Sequence, residues 1–310
     1  MSIATISLVV PVYNEEAVLP ALASRLSTLR EDHPEYEFDI IIVDDGSTDR
    51  TRDILREFHY RYGFSAIFLS RNFGHQPAVS AGLSQAHGDF IAVIDGDLQD
   101  PPEAIPDMVE LLKQSRADVV YGVRQNRKEN TLMKFCYSAF YRLLQQLSPL
   151  EIPLDSGDFS VISSRVAKTI NSMPERRRFV RGLRSYAGFK QVPYHYSRDL
   201  RAAGEPKYTL SKLFKLAADG IFAFSELPLK AATIIGVIVS ILSFATGLGL
   251  LVWRLTSGVN LPGFATISVG LFFLGGVQLL SLGIIGEYIG RIHNEVKRRP
   301  AYIIESSLGV

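Results

Sequence analysis

Residues 90–102 read F-I-A-V-I-D-G-D-L-Q-D-P-P: an apolar run, two aspartates one residue apart, then a proline pair. The run is short, rich in aliphatic side chains and bounded by turn-forming residues, which predicts a buried strand. Four other runs repeat the pattern. I-S-L-V-V, D-I-I-I-V, A-I-F-L and A-D-V-V-Y precede the polar clusters P-V-Y-N-E-E, D-D-G-S-T-D, S-R-N-F-G and G-V-R. Between them lie segments with helical spacing, such as T-R-D-I-L-R-E-F and A-I-P-D-M-V-E-L-L. Strand, helix, strand in that order predicts an α/β fold, a mostly parallel sheet with helices on both faces. Such sheets bind ligands outside the carboxyl ends of their strands, where all five clusters fall.

Asp95 and Asp97 set like charges side by side, which costs stability unless something positive sits between them. A calcium loop of the EF-hand type wants glycine at its sixth position and glutamate at its twelfth. Counted from Asp95, those positions hold Asp100 and Pro106. A helix start before the prolines accounts for Asp100 but not for the pair. A hard divalent cation, Mg²⁺ or Mn²⁺, accounts for both carboxylates and leaves positions open for phosphate oxygens. As a Lewis acid it would neutralise charge on a departing diphosphate, so the expected cargo is a nucleotide diphosphate bearing another group. Asp44 and Asp45 suit the N–H of a base or ribose hydroxyls, with Gly46 for a tight turn and Ser47 to Asp49 starting a helix. A plain turn and cap is the alternative reading of D-D-G-S.

The 310 residues carry a formal net charge of +1 with no dominant basic run, which sets a nucleic acid partner aside. The single cysteine, Cys136, makes no internal disulfide and reads as a small apolar filler. No basic n-region or cleavage site precedes the first apolar run, so no signal peptide is expected and the amino terminus is expected in the cytosol.

Beyond about residue 225 the character changes. Leu229 to Leu255 carries Lys230 and Arg254 only at its edges, and Gly263 to Ile285 has no formal charge. Each exceeds the roughly 20 apolar residues that cross a hydrocarbon core, and neither shows the polar face of a soluble helix. A transmembrane hairpin is predicted. Small residues (Gly236, Ser240, Ala245 and Gly249; then Gly270, Gly275, Gly276 and Gly283) would let the two helices approach closely. Lys212, Lys215 and Lys230 precede the first span, and Arg291, Lys297, Arg298 and Arg299 follow the second, which predicts both ends on the cytoplasmic side. The expected organisation is a catalytic domain over 1–208, a juxtamembrane amphipathic helix over 209–228, two spans within 229–290 (about 229–255 and 263–287) and a cytosolic tail over 291–310.

Seven motifs together resemble one family: P-V-Y-N-E-E (11–16), D-D-G-S-T-D (44–49), S-R-N-F-G (70–74), D-G-D-L-Q-D-P-P (95–102), G-D-F (157–159), G-E-P-K-Y (204–208) and G-E-Y-I-G-R (286–291). The chain resembles the polyisoprenyl-phosphate glycosyltransferases, inverting enzymes of family 2 with the Rossmann-like GT-A fold, over nearly its whole length. It is most similar to the bacterial branch that loads a sugar, often glucose, onto undecaprenyl phosphate. The resemblance implies that Pro11, Tyr13, Glu15 and Asp44 border the nucleobase and ribose. It implies that Asp95, Asp97 and Gln99 bracket the diphosphate and its metal, and that Asp158 is catalytic. Arg124, Arg127, Arg201 and Lys207 would hold phosphates of donor or acceptor. The implied donor is UDP-glucose, with GDP-mannose, a UDP-N-acetylhexosamine or a UDP-aminoarabinose derivative as alternatives. The implied setting is the bacterial inner membrane, with a homo-oligomer as the family's assembly. Two positions depart from the family: Ser160 stands where Arg commonly follows G-D-F, and Pro206 where Ser commonly precedes K-Y.

An isoprenyl phosphate is already anionic at neutral pH, so its attack on the anomeric carbon needs no strong base. Asp158 then positions the acceptor, holds metal or steadies positive charge. Arg124 and Arg127 follow the fifth run and can reach the metal edge, whereas Arg176 to Arg178 read as a solvated or membrane-facing surface. Leu132, Phe135, Cys136, Ala139, Phe140, Leu143, Leu144 and Leu147 repeat at helical spacing, as for a helix packed on the sheet or lying on the bilayer. S-K-L-F-K-L-A-A-D-G-I-F-A-F-S is expected along the membrane surface. His75 and His87 lack metal-ligand spacing and read as structural. A processive polysaccharide synthase would need a Q-x-x-R-W motif and more spans, and Trp253, the sole tryptophan, lies inside the first span. A nucleotide-binding membrane adaptor would not need Asp95, Asp97 and Asp158 together.

Overall fold

A computed structural model describes residues 3–125, 156–175, 178–197, 227–257 and 263–310. It divides into two units, one built on a sheet and one on two long helices.

The sheet has eight strands among the described residues, in the order β7-β5-β6-β4-β1-β2-β3-β8. They are β1 (Ala4–Val12), β2 (Tyr36–Asp44), β3 (Ser65–Leu69), β4 (Phe90–Val93), β5 (Val119–Gln125), β6 (Ser156–Ser163), β7 (Gln191–Ser197) and β8 (Ile304–Leu308). The five apolar runs of the sequence are β1 to β5. Pairings β1–β2, β1–β4, β2–β3 and β5–β7 are parallel, while β6 runs antiparallel between β4 and β5, and β8 antiparallel to β3. Because β6 is inverted, its amino end, with Gly157 and Asp158, reaches the same edge as the carboxyl ends of β1, β2, β4 and β5.

Helices α1 (Leu19–Asp32), α2 (Thr51–Tyr62), α3 (His75–Gln85), α4 (Ile105–Ser115), α5 (Ser164–Ser172) and α6 (Val180–Tyr186) cover the sheet. Alternate residues of a strand face opposite sides, so each strand feeds two cores. Ile6, Leu8, Val10, Ile40 and Ile42 join Leu22, Leu26, Leu55 and Met108 on one side. Val9, Ile41, Val43 and Ile67 join Val79, Leu83, Val166 and Ile170 on the other. Both faces are dry, as the near-continuous apolar runs require.

The second unit holds α7 (Leu227–Ser257) and α8 (Phe264–Val296), each with a segment long and apolar enough to cross a membrane, Ala232–Gly249 and Phe273–His293. Neither segment is buried in protein, and Phe244, Leu271 and Leu279 are 76%, 68% and 72% exposed. The two helices contact each other, and a Cβ added to Gly236, Gly249, Gly270, Gly275, Gly276 or Gly283 would meet nothing within 4 Å among the described residues. The expected helices over 131–147 and 211–225 lie outside the described residues. No strand is expected after the spans, yet residues 304–308 add β8 to the sheet edge.

Candidate active site

The site is built where β1, β2, β4 and β6 end. Backbone geometry brings two loops together first. Gly46 turns with φ +72, and a Cβ there would lie 2.3 Å from the carbonyl carbon of Arg71, so D-D-G-S can pack on S-R-N-F-G only with glycine at this position. The Asp45 carboxylate seals this contact by accepting the N–H groups of Phe73 (2.7 Å) and Gly74 (2.8 Å). Asp44 is fully enclosed: it accepts the Ser47 N–H (3.0 Å) and pairs with the Arg52 guanidinium (2.8 Å). Asn14, itself at φ 54, donates its N–H to Ser47 Oγ (2.9 Å) and accepts the Thr48 N–H (2.9 Å). The Glu15 N–H meets Thr51 Oγ1 (3.0 Å). Pro11 is buried at the end of β1, and the Tyr13 ring stands 44% exposed above this knitted floor.

The loop after β4 is shaped differently. Gly96 lies against Val12 and the Pro11 carbonyl, Leu98 takes a left-handed turn (φ 59), and Asp97 Oδ1 accepts the Gln99 N–H (3.2 Å). Gln99 is buried. Asp95 Oδ1 is buried without a hydrogen bond among the described residues, with His75 Nε2 3.6 Å away. Burial first, then the charges of Asp100, Asp158 and Asp97 against a partial offset from His75, pushes its carboxyl up to about 6.

Asp158 faces the same space. His75 Nε2 lies 3.3 Å from its Oδ2, Gln76 Nε2 donates to that oxygen at 3.0 Å, and Arg181 Nη2 lies 3.5 Å from Oδ1. Burial opposes ionisation of Asp158. The His75 bond and the charges of Arg181, His75 and Arg184 outweigh it and hold the carboxyl at about 2. His75 responds in kind: burial would lower its pKa, but the Asp158 bond and the charges of Asp95, Asp158 and Asp45 raise it. Arg184 is 2% exposed beside Tyr121, with Nε and Nη2 unbonded among the described residues.

The structure thus brings together Pro11, Tyr13, Glu15, Asp44, Asp45, Asp95, Asp97, Gln99 and Asp158. Arg124 stands at the carboxyl end of β5. Arg127, Arg201 and Lys207 lie outside the described residues, as do Pro206, Arg176 and Arg177. Ser160, in place of the family's Arg, turns its hydroxyl back to the Asp158 carbonyl (2.9 Å). Reading His75 as structural is corrected, because the first turn of α3 aims it between Asp95 and Asp158. Gln76, Arg181 and Arg184 were also missed as site residues. Gln76 offered a signal only in three dimensions: its Oε1 accepts the Val180 N–H (2.8 Å), tying α6 to Asp158.

An enclosed carboxylate oxygen with no hydrogen bond, among three other carboxylates, fits a cation between Asp95 and Asp97. No group of three or more His, Cys, Asp or Glu poised to hold a metal occurs among the described residues. Two protein carboxylates suit an ion that shares its remaining positions with substrate phosphate.

Residues 7–170, from β1 through most of α5, match glycosyl transferase family 2. The chain belongs to that family. Residues 228–292 of this glycosyltransferase also match the GtrB C-terminal hairpin, which covers α7 and α8. It is 44% identical over 306 residues to the uncharacterized glycosyltransferase YkcC of Bacillus subtilis, covering 98% of this chain and 94% of that protein. It is 40% identical over 304 residues to the bactoprenol glucosyl transferase of Shigella phage SfII, covering 97% and 98%. The mannosyltransferase PcManGT from Pyrobaculum calidifontis, solved with GDP-Man and Mn2+, shares the fold at 13% identity with a TM-score of 0.51, covering 93% of this chain and 88% of that one. Arg181 and Arg184 lie beyond the family 2 match, although they face Asp158.

Proposed function

We propose that this glycosyltransferase moves glucose from UDP-glucose to a polyprenyl phosphate at the cytoplasmic face of a bacterial inner membrane. The observation that carries the reading is Asp158, held between His75 and Arg181 and facing Asp95, whose buried Oδ1 has no hydrogen bond among the described residues. Full-length similarity to bactoprenol glucosyl transferases, hairpin included, supports the acceptor class and the sugar. The exposed apolar surfaces of α7 and α8 support a lipid bilayer as partner.

In this reading the Tyr13 ring and the loops ending β1 and β2 receive the uridine. Asp95 and Asp97 hold the divalent cation. When bound there, Mg²⁺ or Mn²⁺ supplies charge neutralisation for the departing UDP. The acceptor phosphate is an anion before it binds, so its oxygen attacks the anomeric carbon without a proton being removed. Asp158 is already committed to His75 and Arg181, and it serves the reaction as a fixed negative charge facing the positive charge that develops on the sugar. Arg181 and Arg184 set a positive field on the far side of Asp158, suited to the acceptor phosphate. The attack comes from the face opposite the diphosphate and inverts the anomeric centre.

Purified protein in detergent, given labelled UDP-glucose, undecaprenyl phosphate and Mg²⁺, is expected to form a labelled glycolipid. EDTA is expected to abolish it, and GDP-mannose or UDP-N-acetylglucosamine to substitute poorly. Nucleotide binding with no lipid product under any donor would mark a membrane adaptor instead.

A further inference from the structure

The strand that follows the hairpin does more than close a sheet edge. β8 pairs antiparallel with β3, and two contacts pin its flanks: the Ser70 N–H donates to the Ile303 carbonyl (3.0 Å) and Ser65 Oγ to the Gly309 carbonyl (2.8 Å). Its Glu305 side chain points to Arg52, in the first turn of α2, with Oε2 2.8 Å from Nη1. Arg52 spends its other nitrogens on the site: Nε meets Asp44 Oδ2 at 2.8 Å and Nη2 meets the Leu69 carbonyl, while the guanidinium lies over the Phe68 ring at 5.8 Å. One planar fork therefore joins the ends of β2, β3 and β8. From Asp44 the connection continues to the Ser47 N–H, and from Ser47 Oγ to the Asn14 N–H beside Tyr13.

We propose that Glu305 is a positioning residue for the nucleotide. It acts through Arg52 to fix the Asp44 carboxylate, and with it the two loops that receive the base and ribose. The inference rests on the reading that those loops bind the nucleotide. Asp44 has no exposed surface and cannot turn to water, so its orientation is set by the guanidinium together with the Ser47 N–H. That guanidinium is a quarter exposed and, among the described residues, has besides Asp44 one carboxylate to hold its outer nitrogen, that of Glu305. The strand thereby couples the end of the chain that leaves the hairpin to the affinity for the donor and leaves the reacting atoms at Asp158 untouched.

UDP binding to the full-length protein in detergent, measured by titration calorimetry, tests this, together with donor KM and kcat. Glu305→Ala is expected to raise the UDP Kd and donor KM about two- to fivefold, the range of a partly exposed charge pair, with kcat at saturating donor unchanged. Glu305→Gln, which keeps an acceptor for Arg52, is expected to recover most of the affinity. Ser65→Ala, which loosens β8 without touching Arg52, is expected to bind UDP as the native chain does. An unchanged Kd in Glu305→Ala, or an equal loss in Ser65→Ala, overturns the proposal. Asp44→Asn separates the two levels. If it weakens UDP binding while Glu305→Ala does not, the coupling alone fails; if it leaves UDP binding intact, the nucleotide reading fails and takes the coupling with it.

Discussion

β2 and β4 flank β1 as parallel neighbours, and each ends in a loop with paired aspartates, yet the two loops are finished in opposite ways. After β2, Asp44 and Asp45 are taken up by backbone N–H groups and an arginine, so the loop is complete without a ligand. After β4, Asp95 keeps one buried oxygen without a hydrogen bond among the described residues, and across the gap Asp158 is pinned by groups that hold it charged. Burial works against both Asp45 and Asp95, but only Asp45 has backbone donors to oppose it. The first half is a cradle whose shape is fixed in advance. The second stores electrostatic cost that a bound cation and substrate would relieve, as active sites do.

The contrast can be broken by substitution. Asp158→Asn keeps size and loses charge; glycolipid formation is expected to fall about 10³-fold, the scale of lost transition-state electrostatics, with UDP affinity unaltered. His75→Ala removes one side chain that holds the Asp158 carboxylate, and a loss of about 10- to 100-fold in kcat follows from the strength of a hydrogen bond to a charged group. Asp95→Asn is expected to abolish metal-stimulated turnover while raising the thermal midpoint of the metal-free protein, because it deletes a charge that burial and three neighbouring carboxylates oppose more than His75 offsets. Asp45→Ala is expected to do the reverse in stability, costing about 1–3 kcal/mol by stranding the Phe73 and Gly74 N–H groups, as read by urea unfolding. If Asp95→Asn destabilised the metal-free chain as Asp45→Ala does, the division into finished and unfinished loops would be wrong.

Much of this was legible in the chain. Strands β1 to β5 are apolar runs buried on both faces, and their loops carry their own chemistry, so periodicity and D-D-G-S or D-G-D disclose them directly. β6 was harder, because the position of G-D-F between β4 and β5 depends on pairings made far along the sequence, such as Val93 with Ser160 and Val120 with Val161. His75 was read as structural because a lone histidine has no spacing that marks it. It becomes a site residue only when the glycine-led start of α3 sets it against Asp95 and Asp158. Arg181 and Arg184 sat in a run rich in arginine, where composition does not say which side chains turn inward; the packing of α6 decides it. Arg178 of the same run went elsewhere, to the Ile170 carbonyl. β8 was invisible because I-E-S-S-L is mostly polar, and its edge position needs only one apolar side chain partly covered.

The smallest effect is expected at the opposite end of the sheet, where Asp118 precedes β5 and offers a finished carboxylate far from any chemistry. It is buried, bonded by Arg165 and by Ser163 Oγ (3.1 Å). The Arg165 bond first, against burial and with help from Ser163, holds its carboxyl below the ordinary range. A carboxyl lowered in the native state adds stability above its unfolded pKa, about 3.9, and loses it as pH falls through the native value. Native protein and Asp118→Asn are therefore expected to melt apart slightly at neutral pH and to converge in acid. Arg165 is two-thirds exposed, so solvent and salt screen the pair and the gap narrows further at high ionic strength. Turnover of the variant, measured above pH 6, is expected to match the native rate throughout. An equal melting gap in acid would mean that Asp118 acts through packing and not through charge, and the finished loops would then owe their stability to shape alone.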